Sequence, residues 1–131
     1  MRNNLWLNGG IYGDKDGLFN KQTAPSANTG TTINLTAANL LDDKLIQSTN
    51  ASAVTVNLPT GAVLDAYFQD LPNNASFDWS VINTGSTSGA ATVTAATGHT
   101  IVGAAVVAIS TAGLFRTRKT ADGVFVTYRI S

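Results

Sequence analysis

The stretch Leu114-Phe-Arg-Thr-Arg-Lys-Thr-Ala-Asp-Gly-Val-Phe-Val-Thr-Tyr-Arg-Ile130 decides the fold class of this chain. Aromatic and β-branched residues fill both halves of it, and Asp122-Gly123 stands between them. An Asp-Gly pair between two such runs is a strong signal for a β-hairpin. We therefore predict two antiparallel strands, over Leu114–Lys119 and Val124–Ile130.

This hairpin also holds the most uneven charge in the sequence, namely Arg116, Arg118, Lys119 and Arg129. A two-residue turn at Asp122-Gly123 places Arg116 opposite Arg129. Like charges directly opposite each other are unfavourable unless an acidic surface lies against them. Two interpretations stay open. The arginines contact an acidic partner, or they form a solvated edge that discourages sheet-to-sheet aggregation.

Short runs of the same texture recur upstream, separated by clusters of Gly, Asn and Ser. They predict strands over Thr31–Leu35, Lys44–Gln47, Ala53–Leu58, Phe77–Asn83, Ala90–Ala95 and Ala104–Ser110. Helical periodicity is nearly absent, so the rhythm is typical of a β-sandwich or barrel. The last run is apolar on both faces, which predicts a central or interface strand. Trp79 alternates with polar neighbours and is expected in the core.

One segment, Thr60–Leu71, has helical spacing instead. Its apolar residues recur at intervals of three and four positions, as Val63, Leu64, Tyr67, Phe68 and Leu71. Pro59 precedes the segment and Pro72 ends it, because proline cannot continue a helix. We predict a single short helix between two strands that closes one end of the sandwich.

The first thirty residues differ from the rest, and residues 1–30 and 31–131 are predicted to be an arm and a β-sandwich domain. The arm is poor in strand signal, and its aromatic residues Trp6, Tyr12 and Phe19 are spread along a Gly- and Asn-rich backbone. Sparse anchors of this kind suit an extended segment that docks into grooves of another subunit. The alternative is that Leu5–Tyr12 is simply a strand of the same domain.

Composition excludes several classes of protein. The 131 residues make about one domain, and the chain has no cysteine for a disulfide framework or a thiolate metal site. Eight Lys and Arg residues balance eight Asp residues, and zero net charge argues against nucleic-acid or membrane-surface binding. The longest apolar run, Gly103–Ile109, is too short to span a bilayer, and the N-terminus does not have the pattern of a signal peptide.

The sequence contains no convincing catalytic or metal-binding motif. His99 is the only histidine and is expected at a turn or on the surface, without a nucleophile and an orienting acid. Asp14-Lys-Asp-Gly17 resembles half of a calcium loop, but no closing Glu follows. Asp42-Asp43 is better explained as a turn than as a catalytic carboxylate pair. We therefore expect no enzymatic activity, no cofactor and no metal.

The order of several pieces resembles a known family. These pieces are Thr32–Leu41, Val54–Thr60, Phe77–Thr84, Ala91–Gly103 and Phe125–Tyr128. They give a strand, a Leu-Pro step, a short helix, an aromatic strand ending in Asn, a Thr-rich strand and a closing hairpin. In this they resemble the capsid decoration, or cement, proteins of tailed bacteriophages, over about residues 31–131.

The resemblance implies a jelly-roll fold. Together with the residue patterns above, it predicts an all-β, jelly-roll-like antiparallel β-sandwich with one short helix and an extended N-terminal arm. It also implies a homotrimer, made in the host cytoplasm, that binds the major capsid protein on the outer surface of the virion. We expect capsid contacts at Trp6, Tyr12, Phe19, Arg116, Arg118 and Arg129. We expect trimer contacts at Val106, Val107 and Ile109.

Two other functions stay open. A trimeric domain of a head or tail fibre would bind a host glycan, for which Tyr67, Asp70, Asn73 and Asn74 are the candidate residues. A cellular carbohydrate-binding or adhesion module is the other, although the missing signal peptide counts against it.

Overall fold

The computed structural model describes residues 22–25 and 27–131, which form two packed β-sheets with one short helix. The strands are β1 (Ala27–Asn28), β2 (Thr32–Asn34), β3 (Leu45–Ser48), β4 (Val54–Asn57), β5 (Ser76–Asn83), β6 (Ala91–Thr94), β7 (His99–Val102), β8 (Val106–Val107), β9 (Thr111–Ala121) and β10 (Val124–Arg129). Helix α1 is Gly61–Tyr67, and a π-helical turn spans Asn39–Asp43. The predicted arm falls mostly outside the described residues.

The sheets are mixed, which makes the prediction of a jelly-roll-like antiparallel sandwich wrong. One sheet has six strands in the order β1-β3-β5-β9-β10-β7, and the other has four in the order β2-β4-β6-β8. From β1 to β9 the chain changes sheet after every strand. The chain returns to each sheet by crossing over rather than by a hairpin, and β2 and β4, like β3 and β5, run parallel. The short strand β8 instead pairs antiparallel with β6.

The predicted hairpin exists, but its register differs by one residue. A β-bulge between Lys119 and Ala121 shifts the pairing, so that Arg116 lies opposite Tyr128 and Arg129 lies opposite Phe115. The expected opposition of Arg116 and Arg129 is therefore wrong. A shift of one residue moves a side chain to the other face of a strand, so the bulge separates the two arginines.

The core lies between the two sheets and includes Trp79, as predicted. Trp79 on β5 stacks on Phe115 of β9, with ring centroids 4.7 Å apart and planes 18° from parallel. Val56 and Val93 of the four-stranded sheet belong to the same buried cluster. Aromatic pairs of this kind add about 0.5–1.5 kcal/mol to the stability gained from buried area alone.

Helix α1 is shorter than the predicted Thr60–Leu71. It begins after Thr60, whose hydroxyl accepts a hydrogen bond from the Val63 amide at 3.3 Å. It ends at Tyr67, because Phe68 takes an extended conformation. Leu64 is buried, whereas the neighbouring apolar side chains of Val63 and Tyr67 are exposed.

The segment Ala104–Ser110 is predicted to be a central or an interface strand, and the central position is wrong. Its strand is only Val106–Val107, at the edge of the four-stranded sheet. Gly103 and Ser110 bracket this segment with positive φ angles of 96° and 57°, which interrupt the extended backbone on either side.

Candidate interaction surfaces

His99 is buried in strand β7, so the prediction of a turn or surface position is wrong. Its pairing with Phe125 turns its ring into the core, where it is 3% exposed. Nδ1 lies 3.2 Å from the Pro59 carbonyl and Nε2 lies 2.6 Å from Thr127 Oγ1. Since a carbonyl only accepts, Nδ1 donates to Pro59 and Nε2 accepts from the Thr127 hydroxyl.

The hydrogen bonds continue beyond Thr127. Its oxygen lies 2.8 Å from Thr117 Oγ1, which accepts a bond from Trp79 Nε1 at 2.9 Å. A hydroxyl beside an imidazole is the arrangement of a nucleophile and its base. Here both Thr127 and His99 are closed off from solvent, so no substrate reaches them. Burial lowers the pKa of His99, which is consistent with a neutral structural histidine.

A cleft of about 470 Å³ opens near Thr23, Asn39 and Asp43. The Asp43 carboxylate accepts hydrogen bonds from Thr23 Oγ1 and Asn39 Nδ2, each at 3.0 Å. Asp43 therefore has neighbours that position it as a turn residue, in line with the sequence. No second carboxylate lines this cleft among the described residues.

Clusters of metal-ligating residues and membrane-spanning helices were both looked for in the described part of the chain. Residues 22–25 and 27–131 contain no group of three metal-ligating side chains. Over the same residues no helix is long and apolar enough to cross a membrane.

Lys119 is buried and forms an ion cluster that the sequence analysis missed. Its Nζ lies 2.6 Å from Asp65 Oδ1 and 3.3 Å from Asp122 Oδ1, and it donates to the Leu71 carbonyl at 2.8 Å. The hydrogen bond and the charge of Lys119 lower the pKa of Asp65. The cluster ties α1 to the β9–β10 turn. The only signal in the sequence was a lysine at an inward-facing position of β9.

Arg116 and Arg118 lie together on the outer face of the six-stranded sheet. Pairing across strands sets Asp78, Arg116, Tyr128 and Val102 in one row. Arg116 holds Asp78 with two hydrogen bonds, from Nε at 2.6 Å and from Nη2 at 3.0 Å. Arg118 donates to Tyr128 Oη and to Asn74 Oδ1, both at 2.8 Å. We call this surface the sheet face.

Apolar side chains surround these arginines. Leu114 and Val126 point to the same side of the sheet as Arg116 and Tyr128, and both are half-buried. Ile82, on β5, is also half-buried on this side. The outer face of a sheet that is exposed to water is usually mostly polar. The sheet face differs, because it combines aliphatic side chains with tyrosine and arginine.

Arg129 is not part of the sheet face. Its guanidinium lies over the Phe115 ring, 5.2 Å from the centroid. Its Nη1 donates to the carbonyls of Val106 at 2.9 Å and Ala104 at 3.3 Å, which belong to the β8 region. Arg129, on β10 of the six-stranded sheet, therefore links that sheet to β8, the edge strand of the four-stranded sheet.

The remaining candidate residues are scattered. Val106 is exposed, Val107 is fully buried and Ile109 is half-buried, so the predicted trimer contacts do not share one surface. Trp6, Tyr12 and Phe19 lie outside the described residues. The proposed glycan residues are also divided, because the side chain of Asn74 is held by Arg118 whereas Tyr67 bonds to Asp42.

Asn83 is a further buried polar residue that sequence reasoning missed. Its Nδ2 donates to the carbonyls of Gly89 at 2.7 Å and Val107 at 3.0 Å, and its Oδ1 accepts from the Gly85 amide at 2.9 Å. These bonds are structural, since they satisfy main-chain groups of a loop and an edge strand.

Comparison of the chain with models of protein families, with curated proteins and with solved structures finds no match in any of the three.

Proposed function

We propose that this chain is a structural virion protein, a capsid decoration protein that binds the outside of a tailed-phage head. Its partners in this proposal are the major capsid protein and further copies of itself in a homotrimer. The observation that carries the proposal is the sheet face, where Arg116, Arg118 and Tyr128 stand among aliphatic side chains. Tyrosine and arginine are enriched at the centres of protein interfaces.

The arginines of the sheet face are held in place before any partner arrives. Arg116 donates hydrogen bonds to both carboxylate oxygens of Asp78. Arg118 donates hydrogen bonds to Tyr128 and Asn74. Restraining such long side chains in advance reduces the entropy that is lost on binding. A rigid, mixed surface of this kind suits a protein whose task is to dock on another protein.

Docking across subunit boundaries gives a decoration protein its effect. A protein that binds the assembled shell, but not its separated subunits, stabilises the shell by mass action. This function needs no catalytic group.

The proposal is tested by adding purified protein to phage heads that lack it. The wild-type chain should bind the heads saturably and raise the temperature at which they release DNA. Replacing both Arg116 and Arg118 with Ala should weaken binding, and the effect should be larger at low salt. Thr32→Ala, on the outer face of the other sheet, is the matched control and should bind like the wild type. Failure of the wild type to bind heads would overturn the proposal.

A further inference from the structure

Arg118 is a cation of the sheet face that no carboxylate neutralises. Its neighbour Arg116, two residues away on β9, pairs with Asp78 through two hydrogen bonds. Arg118 instead donates to two neutral groups, the Tyr128 hydroxyl and the side-chain carbonyl of Asn74. In the described part of the chain no ion pair joins it to an Asp side chain. The sheet face therefore keeps an uncompensated positive charge at Arg118.

Asp78 belongs to Arg116 and not to Arg118. The hydrogen bond from Arg116 contributes most to lowering the pKa of Asp78, and the charges of Arg116 and Lys44 lower it further. Arg118 is not among the groups that lower this pKa. The pairing of β5 with β9 explains the difference, because Asp78 lies opposite Arg116 whereas Ser76 lies opposite Arg118. The two arginines therefore differ in charge balance although they share one face.

The guanidinium of Arg118 also has donors to spare. A guanidinium carries five N–H groups. Nε and Nη2 donate to Tyr128 Oη at 3.2 and 2.8 Å, and Nη1 donates to Asn74 Oδ1 at 2.8 Å. One N–H group on each terminal nitrogen is then left without a partner among the described residues. Such donors form strong, charge-assisted hydrogen bonds with a carboxylate.

Valine side chains surround Arg118 on the sheet face. Val126 lies directly opposite it on β10, and Val124, two residues from Val126, points to the same side. Val102 is also on this side, opposite Tyr128. Val124 and Val102 are 41% and 53% exposed. A partner that covers these valines also removes water from Arg118, and a cation that loses its water without gaining a counter-charge is costly.

We propose that the sheet face binds a protein surface that presents a carboxylate, from an Asp or Glu side chain with apolar neighbours, to the Arg118 guanidinium. This inference rests on the proposed function and names the chemistry of the capsid surface that the sheet face takes. Charge complementarity carries it, because a carboxylate compensates the fixed cation and apolar side chains cover the valines. A surface without the carboxylate is rejected, since it would leave Arg118 buried and unpaired.

The surroundings of Arg118 favour a carboxylate over the phosphates of a nucleic acid. Proteins that bind nucleic acids neutralise several phosphates with a row of cations. Arg118 instead lies among valine side chains, and the whole chain has zero net charge. An acidic side chain within an apolar protein surface fits this arrangement better than a charged polymer does.

Three variants separate this contact from general electrostatic attraction. Arg118→Gln removes the charge and keeps hydrogen-bonding groups. Arg118→Lys keeps the charge but loses the planar guanidinium. Lys44→Gln is the matched control, because it removes an equal charge from an exposed side chain beside β3, two strands away from β9 in the same sheet. Circular dichroism checks that each variant is folded.

Binding of the full chain to phage heads that lack it gives the measurement. One sample of heads stays native, and in the other a carbodiimide and ethanolamine convert the outer carboxylates to neutral amides. Arg118→Gln should bind native heads at least about tenfold more weakly than wild type, Lys44→Gln within about twofold of it, and Arg118→Lys in between. Amidation should weaken wild type and Lys44→Gln by at least about tenfold, but Arg118→Gln by less than about twofold.

Other results would overturn the inference. They are equal binding of wild type and Arg118→Gln to native heads, an equal loss for Lys44→Gln, and a further large loss for Arg118→Gln on amidated heads. Wild-type binding that amidation leaves unchanged would mean that Arg118 meets a neutral acceptor, which also contradicts it. A wild-type chain that does not bind native heads contradicts the proposed function, and the inference falls with it. The two failures are therefore distinguishable.

Discussion

His99 Nε2 accepts a hydrogen bond of 2.6 Å from Thr127 Oγ1 inside the core, so this histidine must be neutral for the bond to keep its direction. Protonation would give Nε2 a hydrogen of its own and force the Thr127 hydroxyl to turn away. The other ring nitrogen is held by the Pro59 carbonyl at the entry to α1. One protonation therefore disturbs a side-chain hydrogen bond between β7 and β10, two neighbouring strands of the six-stranded sheet.

The first prediction concerns stability between pH 8 and pH 5. Burial lowers the pKa of His99 below its ordinary 6.5, so the unfolded chain takes up a proton before the folded chain does. Stability should be constant above about pH 7 and should fall as the pH drops through about 6.5. His99→Gln, which keeps a donor and an acceptor, should flatten this slope. Urea midpoints across this pH range give the measurement, and parallel slopes for both proteins would contradict it.

Removing the Thr117 hydroxyl, which follows Thr127 in the chain of hydrogen bonds, should lower the stability of the fold at every pH. Thr117→Val leaves Trp79 Nε1 as a buried donor without an acceptor, for a loss of about 1–3 kcal/mol. Thr117→Ser retains the hydroxyl and loses only a methyl group, so it should be closer to the wild type. Chemical denaturation followed by tryptophan fluorescence separates the two variants. Equal losses for both would show that packing, rather than the hydrogen bond, matters at this position.

Gly61 should tolerate no side chain. A Cβ at this position would lie 1.9 Å from the Gly123 carbonyl oxygen and 2.7 Å from that of Gly98. Because both obstacles are main chain, Gly61→Ala should lower stability by roughly 1–3 kcal/mol or more. Gly30→Ala is the control, since its Cβ would come no closer than 3.6 Å to any atom. Thermal melting of the two variants tests the contrast, and equal melting temperatures would contradict it.

The Arg116–Asp78 pair should matter more for docking than for folding. Both side chains are more than two fifths exposed, at 49% and 42%, so solvent screens their attraction. Arg116→Ala should leave the melting temperature nearly unchanged while it weakens binding to phage heads. A charge-reversed pair, Arg116→Asp with Asp78→Arg, should fold but should not recover full binding. Unaltered head binding by Arg116→Ala would remove the sheet face from the proposal.

Local sequence patterns predicted individual elements well. The alternation around Val54 and Val56, the aromatic run before Asn83 and the Asp122-Gly123 turn all mark strands and a hairpin that the structure contains. A helix was also predicted after Thr60, because proline punctuation and spacing are short-range signals. Trp79 was correctly assigned to the core.

Long-range features were not predictable in the same way. Period-two alternation is identical for parallel and antiparallel strands, so it could not reveal that the chain changes sheet after each strand. The bulge after Lys119 is one extra residue with no special composition, yet it separates Arg116 from Arg129. The burial of His99 depends on its pairing with Phe125, which no local pattern encodes.

The location and number of copies on the phage particle test the central claim most directly. Cryo-electron microscopy of whole virions, with quantitative mass spectrometry of their proteins, measures both. We predict many copies at equivalent positions over the head, each contacting the major capsid protein through the face that carries Arg116 and Arg118. A few copies confined to the tail or to one vertex would contradict the decoration role, as would complete absence from the head.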